Sequence, residues 1–508
     1  LESINSTELR GHVDYLAADA LEGREAGTRG GLAAANFLAS RLAKVPLRAG
    51  GTDGFFQPFV PNYRNVLAVL EGSDPQLKQQ YVILGAHYDH IGYGNPRTSL
   101  DGVGQIHNGA DDNASGTSGV LELIDAFAML PEPPRRSILF AFWDAEEKGM
   151  LGSRHWIAHP TVPPERVEAL LNMDMIGRLR NERLLILGTR TGYGLRRLVA
   201  EQNQGLGLAL EFPWKMSPEA DHYPFFERGI PVLMAHTDLH ENYHRATDDA
   251  PLINAAGMQQ VTRLMFGVAY ELANQSQAVQ FRSAARHETQ EPKQAAAGPM
   301  PASSDRLGIA CERQATSGPG VRIASVTAGS PASLGGLQAE DRVVRFAGRE
   351  VRTCDELARS VLTAENPVSV VVQRPGQVQP LELTVQLAGA PLRLGITWRL
   401  DEAEPGTVIL THVVPGSPAA QAGLEAGDRI YQIADRDFAD DTELARLAKT
   451  LPGPIRLLVE RRGQLRVVEI PLDTQPLHRS AQGPSKTNWT ISWEQRRPSV
   501  GSGSEAVM

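Results

Sequence analysis

The sequence predicts an α/β domain, a mostly parallel mixed sheet sandwiched by helices, followed by two small β-rich domains. Three observations predict it. Residues 1–274 alternate short apolar, β-branched runs with helical patterns. Residues 275–304 lose that periodicity and read as a linker rich in Gln, Ala, Ser, Glu and Pro. Beyond them a block of sequence repeats at a constant offset of 87 residues. Strands alternating with helices favour parallel pairing with helices over both faces.

In the first domain, helical patterns cover 7–18 and 31–45. Strand-like runs follow at 65–70, 81–86, 138–143, 169–173, 184–187 and 231–235. Helical patterns at 116–130 and 251–272 lie between or after them. In the repeat, Leu307-Gly-Ile309 recurs as Leu394-Gly-Ile396, and Gly329-Ser-Pro-Ala332 as Gly416-Ser-Pro-Ala419. Leu357-Ala-Arg359 recurs as Leu444-Ala-Arg446. An unbroken offset implies two copies of one fold without insertions. Thr353 with Glu356, and Asp440 with Glu443, have capping-box spacing and start one helix per copy. The two domains span 305–388 and 391–474, and 475–508 reads as a flexible, polar C-terminal tail.

A chain of 508 residues fits about three domains, and 42% hydrophobic with 21% charged residues fits globular ones. The net charge of −9, with no Lys/Arg cluster, argues against nucleic acid as partner. The longest apolar runs are strand length, too short to span a membrane. Two cysteines, Cys311 and Cys354, exclude a disulfide scaffold and a cysteine-rich zinc module. The first residues, from Leu1, lack a charged-then-apolar leader. A secreted or periplasmic/cell-envelope location, with a signal peptide removed ahead of Leu1, is the expectation.

The chemistry concentrates at strand ends. The run Tyr81-Val-Ile-Leu-Gly-Ala-His87 ends in histidine, 138–143 is followed by Glu146 and Glu147, and 169–173 by Asp174. In open α/β sheets the ligand site lies outside the carboxyl ends of the strands. Two loops add to these: Asn108-Gly-Ala-Asp-Asp-Asn-Ala-Ser-Gly116, with Asp111 or Asp112 as donor, and His240-Glu-Asn-Tyr-His244. Adjacent glutamates repel by roughly 4 kcal/mol at about 4 Å in an effective dielectric of 20, so either water screens them, as in an ordinary solvated turn, or a cation sits between their reach. His, Asp and Glu without thiolate suit zinc or another divalent ion held by imidazole and carboxylate. Three ligand carboxylates, two dications and one bridging hydroxide make a neutral centre, which favours two ions. One glutamate then binds metal while its neighbour acts as general base. A single histidine in a loop is ordinarily a polar loop residue, and His90, His107 and His236 are read that way.

The ordered motifs His87-Tyr-Asp89, Gly109-Ala-Asp-Asp-Asn-Ala-Ser-Gly116, Glu146-Glu147-Lys-Gly149, Asn172-Met-Asp174 and Tyr243-His244 resemble the co-catalytic di-zinc aminopeptidases of the bacterial leucyl aminopeptidase and aminopeptidase Y kind. Leu21-Glu-Gly-Arg-Glu-Ala-Gly-Thr28 belongs to the same resemblance, which covers about residues 1–274. It implies a zinc-peptidase-like fold and a metallo-aminopeptidase with two zinc ions. His87 and Asp174 would hold one ion, Glu147 and His244 the other, and Asp112 would bridge them. The bond from Asp112 to Asn113 would be cis, with Asn113 just outside the ligand set. Glu146 would be general base toward a metal-bridging water or hydroxide. Asp89 would orient His87, and Tyr243 would polarise the substrate carbonyl. Asp221-His222 would line the site. The same fold and ligands also occur in glutaminyl cyclase-like and carboxypeptidase-like enzymes, and in catalytically silent peptide-binding relatives.

The repeated module resembles PDZ domains of the bacterial type. The resemblance implies a carboxylate-binding loop at Leu307-Gly-Ile309 and at Leu394-Gly-Ile396, each beside a groove that captures a C-terminal peptide by strand addition. These domains would bind peptide tails or position the enzyme. Cys311 falls on the first groove's strand and Cys354 at the start of its helix, so a disulfide between them would block that groove.

Overall fold

A nine-stranded mixed sheet forms the centre of the first domain in the computed structural model, which describes residues 3–289, 306–312, 319–389, 391–415 and 417–472. Its strands are β1 (Arg48–Ala49), β2 (Phe56–Phe59), β3 (Tyr63–Leu70), β4 (Tyr81–His87), β5 (Ser137–Trp143), β6 (Val167–Met173), β7 (Arg183–Leu187), β8 (Ala209–Glu211) and β9 (Val232–His236). The order is β1-β3-β5-β4-β6-β9-β7-β8, with β2 on β3. β5, β4, β6 and β9 run parallel, β3 is antiparallel to its neighbours, and β7 is antiparallel to β9 but parallel to β8. Every residue of β4, β5 and β6 is buried, as expected of strands covered on both faces.

Helices α1 (Ser6–Leu16), α2 (Arg29–Leu42), α3 (Gly116–Ala128), α4 (Leu151–Ala158), α5 (Leu195–Gln202), α6 (His222–Arg228) and α7 (Ala255–Asn274) clothe the sheet. Leu9, Val13 and Leu16 of α1 join Val261, Leu264 and Val268 of α7 in the larger core. Trp143, Trp156 and Phe225 fill the smaller core. Asn5 caps α1 by accepting from the backbone N–H groups of Thr7 and Glu8.

The linker expectation needs one correction at its start. Residues 275–289 pack on the first domain. Gln275 O accepts from Arg136 Nη1 at 2.5 Å, Phe281 pairs with Gly192, and Glu288 accepts from Arg190 Nε at 2.7 Å and Arg282 Nη1 at 2.7 Å. An extended segment held by ion pairs has no apolar period to read. Residues 290–304 of the linker and 475–508 of the tail lie outside the described residues.

The repeat folds as two small β domains. The first has β10 (Ile309–Cys311), β11 (Val321–Val326), β12 (Arg342–Phe346), β13 (Arg349–Glu350), β14 (Val368–Gln373), β15 (Leu381–Val385) and helix α8 (Cys354–Thr363). The second has β16 (Ile396–Leu400), β17 (Val408–Val413), β18 (Arg429–Ile433), β19 (Ile455–Arg461), β20 (Gln464–Ile470) and helix α9 (Asp441–Thr450). Thr353 and Asp440 cap these helices by accepting from the N–H of Glu356 and Glu443. Each domain has its own apolar core. Among the described residues, no helix is long and apolar enough to cross a membrane.

Candidate metal centre

Sheet order brings the site together. β5, β4 and β6 are neighbours and end on one edge, so His87, Glu146, Glu147 and Asp174 arrive side by side. The loop ahead of α3 supplies Asp112, and the loop after β9 supplies His244. His87 Nε2 lies 3.4 Å from Asp112 Oδ1 and 3.6 Å from Asp174 Oδ1. His244 Nε2 lies 3.1 Å from Asp112 Oδ2 and 3.2 Å from Glu147 Oε2. Asp112 thus faces both groups.

The choice between Asp111 and Asp112 is physical. Asp111 Oδ2 meets His240 Nε2 at 3.0 Å, and its Oδ1 accepts from Gly177 N at 2.6 Å, so its carboxylate is turned into the scaffold. Asp112 joins Asn113 through a cis peptide bond. Asn113 Oδ1 accepts from Gly116 N at 2.8 Å, and its Nδ2 donates to Met173 O at 3.0 Å, tying this loop to the end of β6. Asp248 Oδ2 accepts from the N–H of both Asp111 and Asp112. Gly109 sits at φ 57° where a Cβ would lie 2.1 Å from Asp112 O, so this turn has no room for a side chain.

Arg24, fully buried, donates to Leu16 O, Tyr88 O, Asn108 O and Gly109 O, fastening the loop after β4 to the one that carries Asp112. Asp89 does two things. Its main-chain carbonyl lies 3.2 Å from His87 Nδ1, nearer than its carboxylate at 3.7 Å. The carboxylate instead accepts from Glu146 N at 3.0 Å, linking the ends of β4 and β5. His244 Nδ1 lies 2.9 Å from Thr98 O, which aims Nε2 at the acids. Tyr243 stacks on His244 with ring centroids 3.9 Å apart and lines the pocket.

His90 departs from its reading as a polar loop residue. It is buried, and its Nδ1 lies 2.7 Å from Glu147 Oε1 and 3.9 Å from Asp112 Oδ2. Among the described residues, two donor groups could each hold a cation: His87 with Asp112 and Asp174, and His90 with Asp112 and Glu147, the atoms of each lying within 4.8 Å of one another. His236 also departs from that reading, since it lines the pocket. His107 is buried, with Nε2 against Ser99 Oγ and Asp101 Oδ1, and holds the 92–105 loop.

The electrostatics call for positive charge. Burial alone would raise Asp112, but His244, His87 and His90 outweigh it and hold the carboxyl well below its ordinary value. Burial and Asp112 push Glu147 up, yet His90 and His244 bring it down to about 2. Burial lowers His244, but bonds to Asp112 and Glu147 carry it up to about 11. Glu146 behaves differently. Burial, then the charges of Asp221, Glu147 and Asp174, push it well above the ordinary value against the pull of His87. Asp221, buried and bonded to Ser153 Oγ at 2.5 Å, is pushed up to about 7 by burial. Imidazole and carboxylate donors in two groups sharing one aspartate fit two zinc ions.

The centre opens into a cavity of about 210 Å³. Glu146 lines it beside the donors. Its lining also includes the apolar side chains of Met175, Leu185, Leu187, Ala220 and Met234, of which Leu185, Leu187, Ala220 and Met234 pack together.

The grooves of the β domains differ. In the first, Leu307, Ile309, Leu357 and Val361 line a small cavity between β10 and α8. A disulfide joins Cys311 to Cys354 across it, with Cα atoms 6.1 Å apart. A peptide strand needs about 4.8 Å from β10 alone, before any space for the helix. In the second domain, Trp398 and Asp441 stand at the matching positions.

Residues 65–269 match the model of peptidase family M28, and residues 322–374 and 409–461 each match the PDZ domain model. Leupeptin-inactivating enzyme 1 of Streptomyces exfoliatus is 28% identical over 169 residues, 33% of this chain and 34% of that protein. Leucine aminopeptidase 1 of Aspergillus niger is 27% identical over 266 residues, 48% of this chain and 65% of that protein. The chain therefore spans only part of the length of these relatives. The LapA aminopeptidase structure from Legionella pneumophila aligns at 22% identity with a TM-score of 0.45, covering 54% of this chain and 73% of that one.

Proposed function

We propose that this chain, which carries a peptidase family M28 domain followed by two PDZ domains, is a zinc-dependent aminopeptidase that removes the N-terminal residue of peptides. The observation that carries the reading is the convergence of His87, Asp112, Glu147, Asp174 and His244 on one sheet edge, with Glu146 beside them in the same cavity. His87, Asp112 and Asp174 would hold one zinc; Asp112, Glu147 and His244 the other. Bound there, zinc would supply Lewis acidity toward the peptide carbonyl and a nucleophilic water at neutral pH.

The chain's own residues do the rest. Glu146 takes a proton from the attacking water on a carboxylate oxygen and passes it to the leaving amine. Burial and neighbouring acids raise its proton affinity, which suits a group that must hold that proton briefly. Tyr243, on the cavity wall, donates its hydroxyl hydrogen toward the carbonyl oxygen. His90 steadies Glu147. The apolar wall of Leu185, Leu187, Ala220 and Met234 would receive an aliphatic or aromatic first side chain.

The second PDZ groove would take a C-terminal peptide by strand addition along β16, while the disulfide closes the first. A disulfide also fits an oxidising compartment, in keeping with a secreted or periplasmic/cell-envelope location.

The test is hydrolysis of a panel of aminoacyl chromogenic amides by zinc-loaded protein, with and without chelator. Chelator-sensitive cleavage favouring Leu, Met or Phe amides is the expected result. Zinc-loaded protein that cuts no amide, but cyclises N-terminal glutamine or trims C-termini, would replace this reading with one of the related chemistries.

A further inference from the structure

The second PDZ domain packs against a tryptophan in the segment that leads to the cavity wall. The segment 212–221 leaves β8 and leads directly into α6. Its far part, Ser217, Glu219 and Ala220, lines the cavity. Its near part carries Trp214, which packs against Ile409 of β17. The Trp214 ring also lies under the guanidinium of Arg190 at 3.7 Å and near that of Arg399, on β16, at 5.5 Å. Trp214 is 7% exposed and Ile409 2%. Only Lys215 and Met216 separate Trp214 from Ser217, and Pro218 fixes the φ angle of the next residue, so this short segment has little slack.

The contact is not a loose inter-domain touch. Arg190 Nη1 donates to Asp401 at 2.6 Å and Arg196 Nε to Glu460 at 2.8 Å, and within the second PDZ domain Arg429 Nε donates to the other oxygen of Asp401 at 3.0 Å. Glu404 accepts from the N–H of Arg196 at the start of α5. Backbone bonds run from Leu210 N to Arg462 O and from Gly194 N to Ala403 O. Asp401, Glu404 and Glu460 are all buried. Buried charges are tolerated when paired and hydrogen-bonded, and breaking one pair is costly.

The repeat itself supplies a second observation. At the offset of 87, the first copy has Gln314, Arg322 and Gln373 where the second has Asp401, Ile409 and Glu460. The docking residues belong to the second copy alone.

We infer that the second PDZ domain is a fixed part of the peptidase pocket: by clamping Trp214 it sets the position of Ser217, Glu219 and Ala220, and hence the fit of the substrate's first side chain. Trp214 is a positioning residue. The inference rests on the aminopeptidase reading for its consequence and on the clamp for its cause, and the two are tested separately.

The experiment uses the full chain, zinc-loaded, as wild type, Trp214→Ala, Trp214→Phe and Ile409→Arg. The last installs the residue that the first copy carries at that place, which its fold accepts. Two readouts are taken. Hydrogen exchange of the 214–221 segment needs no substrate, and Ile409→Arg should lower its protection at least about tenfold. Kinetics on Leu and Ala amides should show KM for the Leu amide raised about tenfold in Trp214→Ala and Ile409→Arg, kcat within about threefold, and Trp214→Phe near wild type. Should Trp214→Ala fail to fold, Ile409→Arg carries the test. Unchanged protection, or an unchanged KM and Leu-to-Ala preference in Ile409→Arg, overturns the inference. A wild type that cuts neither amide while Ile409→Arg loses protection would remove the aminopeptidase reading and leave the clamp standing.

Discussion

His90 Nδ1 lies 2.7 Å from Glu147 Oε1, while His244 Nε2 lies 3.2 Å from the other oxygen of the same carboxylate. Two imidazoles, one at each carboxylate oxygen, thus hold one glutamate in place. Groups that orient a metal ligand typically change metal affinity by about 10–100-fold when removed. His90→Phe should therefore weaken one of two zinc sites by about that factor and spare the other. Zinc titration by calorimetry or a competing chromophore would show two unequal steps. Two unchanged steps would mean that His90 only fills space.

The cavity wall predicts selectivity. Ala220 packs with Leu187 and Met234. Ala220→Phe should fill the space meant for a large first side chain, lowering kcat/KM for the Leu amide about 10–100-fold and sparing the Ala amide. Equal losses on both amides would place the first side chain elsewhere.

A stability prediction arises far from the metals. Glu122, buried on α3, is pushed up to about 8 by burial and by the charges of Glu8 and Asp125, against a bond from Asn5 N. His12 Nε2 lies 3.8 Å away but offers no counter-charge, since burial and Arg41 bring it down to about 4. A folded value above the ordinary one means that neutral Glu122 stabilises the fold. That contribution is complete below about pH 4.5 and is lost as pH rises through about 8. Glu122→Gln should flatten this dependence, raising Tm relative to wild type at pH 8.5 by at least ~2 °C more than at pH 5. Parallel Tm profiles for the two proteins would refute it.

The disulfide gives the two grooves opposite redox behaviour. An extended peptide with an apolar C-terminal residue should bind native protein at the second groove only. Reduction, or Cys311→Ser with Cys354→Ser, should add a second binding event. Fluorescence anisotropy with labelled peptide, before and after reductant, would count them. A single unchanged isotherm would show that the crosslink does not control access.

Much of this was legible in the sequence because local pattern and chemistry agreed. The runs ending at His87, Trp143 and Met173 are mostly apolar, and each is followed at once by an acid or ends in an imidazole. His90 escaped because its partner, Glu147, is 57 residues away and meets it only through the pairing of β4 with β5. Segment 275–289 escaped because Arg282 and Glu288 hold it by ion pairs, which leave no periodicity. The docking of the second PDZ domain escaped for a related reason. Arg190, Arg196, Asp401 and Glu460 read as surface charge until they are found buried against one another.

In the proposed reaction Glu146 moves the proton while His87, Asp112, Glu147, Asp174 and His244 would hold two zinc ions. The most direct measurement compares wild type with Glu146→Gln at matched zinc content. Two zinc ions per chain are expected in both proteins, with cleavage of the Leu amide by wild type and a kcat lower by about 10²–10⁴-fold in the variant. A variant that keeps two zinc ions and wild-type kcat would contradict it.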